Sequence, residues 1–159
     1  MLYRLCFAIA TLAAMLPAAD TYSGPRPPKT DVPYLLHADR LVETESAEAK
    51  EESKKGDVTY AIEGASSPAK TPLAEPIFVL KTDQLVADRI ELYRLDVRNG
   101  RREVTLSPKK RKGAPKPLHV LVTRLGDRLY RLEADEHLDV GEYSLSPNDS
   151  NHVFCFQVY

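Results

Sequence analysis

"RIELYRLDVRNGRREVTLS", Arg89 to Ser107, decides the fold class. Apolar and β-branched residues flank Asn99-Gly100, a pair in which both residues tolerate positive φ. It is the strongest short-range signal for a two-residue hairpin turn. The spacing therefore predicts strands over Arg89 to Arg98 and Arg102 to Ser107. Within Ile90 to Val97 the apolar parity changes between Leu92 and Tyr93. Either a bulge interrupts the strand or both of its faces are buried.

Period-two alternation extends outward on both sides. Further strands are expected at Tyr34 to Glu43, Val58 to Ile62, Ile77 to Lys81, Leu118 to Arg124, Arg128 to Ala134, Glu142 to Ser146 and Val153 to Tyr159. Gly126-Asp127 and Pro147-Asn148-Asp149 supply turns, so three consecutive hairpins run from residue 89 to the end. So many short strands with so little helix predict an all-β fold, an immunoglobulin-like or related two-sheet β-sandwich. A barrel is the rival, because alternation does not decide how sheet edges close.

Two segments stand outside the pattern. "ETESAEAKEESKKGD", Glu43 to Asp57, has no apolar stripe but is rich in helix formers, pairs Glu51 with Lys55 at four residues, and ends at Gly56. A short exposed helix is expected there, the only one in the chain, with a solvated loop as the alternative. "EGASSPAKTPLAEP", Glu63 to Pro76, holds three prolines and reads as a long connection crossing from one sheet to the other, with a binding loop as the alternative its length allows.

The chain opens with "MLYRLCFAIATLAAMLPAAD": one positive charge at Arg4, an apolar run from Leu5 to Leu16, then small residues. This is the pattern of a signal peptide over residues 1–19, cut near 18 or 19, and the run is too short for a membrane span. Residues 20–33 follow as an extended lead-in, with four prolines in Thr21 to Pro33. Residues 34–159 form a single domain. No transmembrane segment is expected in the mature chain, and its location is periplasmic or extracellular. Removal of Cys6 leaves Cys155 without an intramolecular partner, so it reads as a small hydrophobe in a strand.

Net charge is −1 for the whole chain, giving no global attraction to polyanions. The local exception is "KKRKGAPK", with Lys109, Lys110, Arg111, Lys112 and Lys116 in eight positions. It falls between two strands and reads as a solvated loop that can touch an anionic envelope component or acidic protein. Nucleic acid is disfavoured because no aromatic residue interleaves with the charges. Arg98, Arg101 and Arg102 form a second small positive region at the Asn-Gly turn, at the opposite end of the intervening strand.

Catalytic signatures are sparse. His37, His119, His137 and His152 lack metal-ligand spacing, although "HAD" at 37–39 and "DEH" at 135–137 would make a metal site if loops joined them. Ser67 and Lys70 have Ser-x-x-Lys spacing, but Pro68 and Pro72 oppose the helix this motif needs. No catalytic, cofactor or metal residue is assigned. The tyrosines fall mostly on strands, where core packing accounts for them. Asn148-Asp149-Ser150 is a formal glycosylation acceptor.

The ending "LDVGEYSLSPNDSNHVFCFQVY" resembles the closing hairpin of immunoglobulin-like accessory domains. Together with "HADRLVETE" and "SSPAKTPLAEPIF", it is also similar to uncharacterised exported bacterial β-sandwich proteins. Neither resemblance carries an activity, a ligand or a site residue. The expected role is an exported interaction or envelope accessory module, non-catalytic and without cofactor. A carbohydrate-binding module and a small hydrolase are the alternatives.

Overall fold

The structure is a computed structural model that describes residues 22–108 and 113–159. The signal-peptide residues 1–19 and the basic residues Lys109 to Lys112 lie outside the described residues. Thirteen strands follow one another: β1 Val32–His37, β2 Arg40–Glu43, β3 Glu45–Glu48, β4 Lys50–Lys54, β5 Asp57–Glu63, β6 Lys70–Thr71, β7 Ile77–Lys81, β8 Ile90–Arg98, β9 Arg101–Leu106, β10 Val120–Gly126, β11 Leu129–Ala134, β12 Gly141–Pro147 and β13 His152–Val158. The helical content among the described residues is one 3-10 turn at Ala87–Arg89. No described helix is long and apolar enough to cross a membrane.

Two sheets pack face to face as a sandwich. The smaller has the order β10-β11-β7-β1-β2, and the larger β3-β13-β12-β8-β9-β5-β4 with β6 added beside β13. The expected hairpins β8/β9, β10/β11 and β12/β13 all form. Asn99 and Gly100 turn with φ of 51° and 75°, as the sequence implied. Tyr34 to Glu43 is not one strand: Ala38, at φ 54°, turns the chain so that β1 and β2 pair with each other.

The helix expected over Glu43 to Asp57 is replaced by strands. Lys55 and Gly56 take φ of 52° and 87°, a hairpin turn that pairs β4 with β5. The propensities of Ala and Glu are a few tenths of a kcal/mol each and yield to ladder bonds and packing on both sides. Gly56 thus turns a hairpin where a helix end was expected.

The closure of the larger sheet follows from this segment. β3 lies on one edge and β4 on the other, and only Ala49 separates them in sequence. The Ala49 amide donates to the Asn151 carbonyl at 2.8 Å, continuing the β3–β13 ladder to the point where β4 takes over pairing with β5. The two edges are therefore two halves of one extended stretch, Glu45 to Lys54, and the larger sheet curls shut on itself. Sandwich and barrel are both present, one as the packing of two sheets and the other as the closure of one.

Each face of the larger sheet then needs its own core. Between the sheets lie Leu35, Phe78, Leu80 and Leu132 against Leu92, Tyr143, Leu145, Phe154 and Phe156. Phe78 and Phe156 meet edge to face at 4.9 Å, a favoured aromatic geometry. Inside the curl lie Ala49, Ile62, Tyr93, Leu95, Val104, Val153 and Cys155. The parity change at Leu92–Tyr93 is thereby explained, since Ile90 and Leu92 face one core and Tyr93 and Leu95 the other. No bulge is needed; the β8–β12 register is unbroken.

The connection after β5 does cross from the larger sheet to the smaller. It is held along its length: Ser67 is fully buried, Gln157 donates its amide to the Ala69 carbonyl at 2.8 Å, and β6 runs parallel to β13.

Both Gly56 and Gly100 have positive φ, and a Cβ at either would meet nothing within 4 Å. The cost of alanine there is conformational alone, and Gly56→Ala and Gly100→Ala should each lower unfolding free energy by about 1 kcal/mol in urea titration. An unchanged midpoint for both would contradict the turn assignments.

Candidate functional site

The interior of the curled sheet is not filled to its end. β8 pairs with β9 only over Asp96–Arg98 with Arg101–Glu103. Its earlier residues are bonded to β12 instead, and Val104 to Leu106 are bonded to β5. The two strands diverge, and the space between them opens into a cup of about 370 Å³. Residues two apart on each strand line it, as strand geometry requires: Tyr60 and Ile62, Val104 and Leu106, Glu91, Tyr93 and Leu95, Ser144 and Ser146. Ala49, Glu51 and Val153 complete the wall, and the β12–β13 turn, Asn148 to Asn151, forms part of the lining.

The cup has an apolar wall and polar groups among its lining. Tyr93 is 8% exposed, and its hydroxyl donates to a Glu91 carboxylate oxygen at 2.6 Å. Burial, and next that bond to Glu91, push the Tyr93 phenol well above its ordinary range, so it stays protonated. The bond orients both side chains within the cup. Cys155 is fully buried, and burial pushes its thiol up to about 12, which makes it a packing residue and not a nucleophile.

Within the same closed sheet, Arg102 forms a charged clasp. The sequence grouped this residue with a surface-positive turn, yet its side chain is 0% exposed. Its Nη1 and Nη2 donate to the two Glu45 carboxylate oxygens at 2.6 and 2.9 Å. Nε donates to the Gly64 carbonyl and Nη2 to the Glu63 carbonyl, both at 2.9 Å. Glu142 lies 3.9 Å from the guanidinium and accepts the Ser67 amide at 2.9 Å. These bonds tie the closing stretch to β5 and β9, a bidentate geometry that lysine does not reproduce.

The two carboxylates respond oppositely. Burial works to raise the Glu45 pKa, but the hydrogen bonds from Arg102 hold it below the usual value. Burial raises that of Glu142, and the Ser67 amide and Arg102 do not offset it; one of its oxygens is buried without a partner among the described residues. Ser67 therefore serves this clasp through its amide, while its hydroxyl donates to the Cys155 carbonyl at 3.1 Å.

The other residues singled out by sequence are dispersed. Lys116 is exposed in the connection between β9 and β10, while Lys109, Lys110, Arg111 and Lys112 lie outside the described residues. Arg98 pairs with Asp96, and Arg101 with Glu52 and Glu103, so the second positive region is neutralised locally. Strand pairing brings His37 and Asp135 toward the same end of the smaller sheet, yet no group of three or more metal-ligand side chains comes together among the described residues. His119 instead pairs with Asp135 at 2.8 Å and is well exposed.

Sequence reading did not find the cup. Its strands were all identified except the Glu51 edge, but nothing in the alternation distinguishes a wall facing a filled core from one facing a cavity. No family model, curated protein or solved structure matches this chain.

Removing Arg102 leaves Glu45 and Glu142 without their cation, so Arg102→Met should cost about 3–5 kcal/mol of unfolding free energy. Retention of wild-type stability would remove the clasp from the account. A second expectation concerns pH. A carboxyl with a raised folded pKa favours the fold fully below its ordinary value, 4.5, and that contribution is lost as pH rises through the folded value. Glu142→Gln keeps an acceptor for Ser67 and removes this loss. Its stability relative to wild type should therefore improve from pH 4 to pH 7; an unchanged difference would contradict the buried-carboxyl reading.

Proposed function

We propose that this chain is an exported envelope accessory module that acts by binding, and that the cup in its larger sheet is the binding site. Export rests on the N-terminal charge, apolar run and small residues. The observation that carries the binding role is the cup itself, whose size falls in the range of small-molecule sites. Its lining also has the usual composition, an apolar wall with a few converging polar groups, and it lies at the mouth of a closed sheet. The partner on this reading is a small apolar or amphipathic envelope component, seated among Tyr60, Tyr93, Leu95, Val104 and Leu106. Aromatic residues inside a cup favour this over a glycan module, which presents its aromatics as an open platform.

Titration with N-phenyl-1-naphthylamine, a neutral apolar fluorophore, tests the cup directly. Wild type should give saturable enhancement at one site per chain. Leu106→Trp, which adds bulk to the wall of the cup, should weaken it at least about tenfold while the protein still unfolds cooperatively. Equal binding by a folded Leu106→Trp variant, or no saturable binding by wild type, would overturn the assignment.

A further inference from the structure

The charge of the cup specifies more than an apolar ligand. Glu51, Glu91 and Asp149 line it, and no Lys, Arg or His among the described residues does. None of the three is in an ion pair among the described residues, although other carboxylates on the same sheet, such as Glu45, Glu52, Glu63, Asp96 and Glu103, are paired. Three carboxylates with no ion pair among the described residues thus line one cavity, Glu51 and Asp149 exposed and Glu91 half-buried. A cation bound among them is attracted by all three, and an anion is repelled.

Resting on the cup as the binding site, we propose that its ligand is a cationic amphiphile, with an apolar body in the cup and an ammonium-type head among Glu51, Glu91 and Asp149. The two tyrosine rings of the lining, Tyr60 and Tyr93, suit such a head as well as the apolar body, because the aromatic face attracts cations. The Tyr93–Glu91 hydrogen bond fixes one carboxylate ahead of binding, so less order has to be imposed when the ligand enters. A carboxylate-headed ligand of the same shape meets repulsion from all three acids.

Calorimetric titration of the full mature chain with decylammonium, decanol and decanoate separates the two layers of the argument, since the three probes share one apolar chain. All three should bind at one site, with decylammonium at least about tenfold tighter than decanoate at low salt and the gap narrowing at high salt. In Glu51→Gln/Glu91→Gln/Asp149→Asn the gap between decylammonium and decanoate should close, with decanol still bound at one site; asparagine tolerates the positive φ, 61°, of residue 149. Binding of none of the probes would overturn the cup as a site. Binding of all three with decanoate as tight as decylammonium, or a gap that survives in the triple variant, would leave the cup and overturn the cationic head.

Discussion

The closure of the larger sheet by one extended stretch, Glu45 to Lys54, is the constraint on which the other features depend. An open sheet of this length has two edges with unpaired backbone groups, a hazard that proteins cover or remove. Here both edges come from adjacent residues of one strand, so pairing β3 to β13 and β4 to β5 satisfies both at once. Closure creates an inside, and the inside must be filled, held shut or left open. Each solution occurs along the same interior: apolar side chains fill it, Arg102 and its partners clasp it, and the divergence of β8 from β9 leaves the cup.

The clasp is polar at a place where hydrophobic side chains of similar volume are often as stable. A fully buried guanidinium bonded to two carbonyls and a bidentate carboxylate has stringent geometric requirements, and it is satisfied only when β5, β9 and the closing stretch are in register. Slippage of any of them by one residue would send the inward side chains outward. Glu142 beside it brings an opposing pH dependence, so the clasp strengthens the fold through Glu45 above the ordinary glutamate value and weakens it through Glu142 over the range where that carboxyl ionises.

Much of the fold is legible in the sequence. The Asn99-Gly100 turn, the three consecutive hairpins and the crossing connection at 63–76 follow from local chemistry. The parity change at Leu92–Tyr93 left a bulge or two buried faces open, and the structure has two buried faces. The closing stretch was not legible, and the reason is physical. Ala47 and Ala49 pack against that interior where Val or Ile does elsewhere, and a segment of Ala, Glu and Lys reads as helix. With that strand misread, closure could not be inferred, and without closure the apolar residues of β5, β8 and β9 had only a core to belong to. Arg102 was hidden for a related reason: its partner Glu45 lies 57 residues away, on the segment taken for a helix.

Proton NMR contacts across the closing stretch test this account most directly. In one molecule, Ser46 and Ala47 should show cross-strand contacts to Phe154 and Val153, while Glu51 and Glu52 show them to Tyr60 and Thr59. Contacts to β5 alone, with residues 45–48 free of β13, would describe an open sheet with an ordinary terminal hairpin. The cup, its clasp and the ligand inferred from them would then lose their foundation.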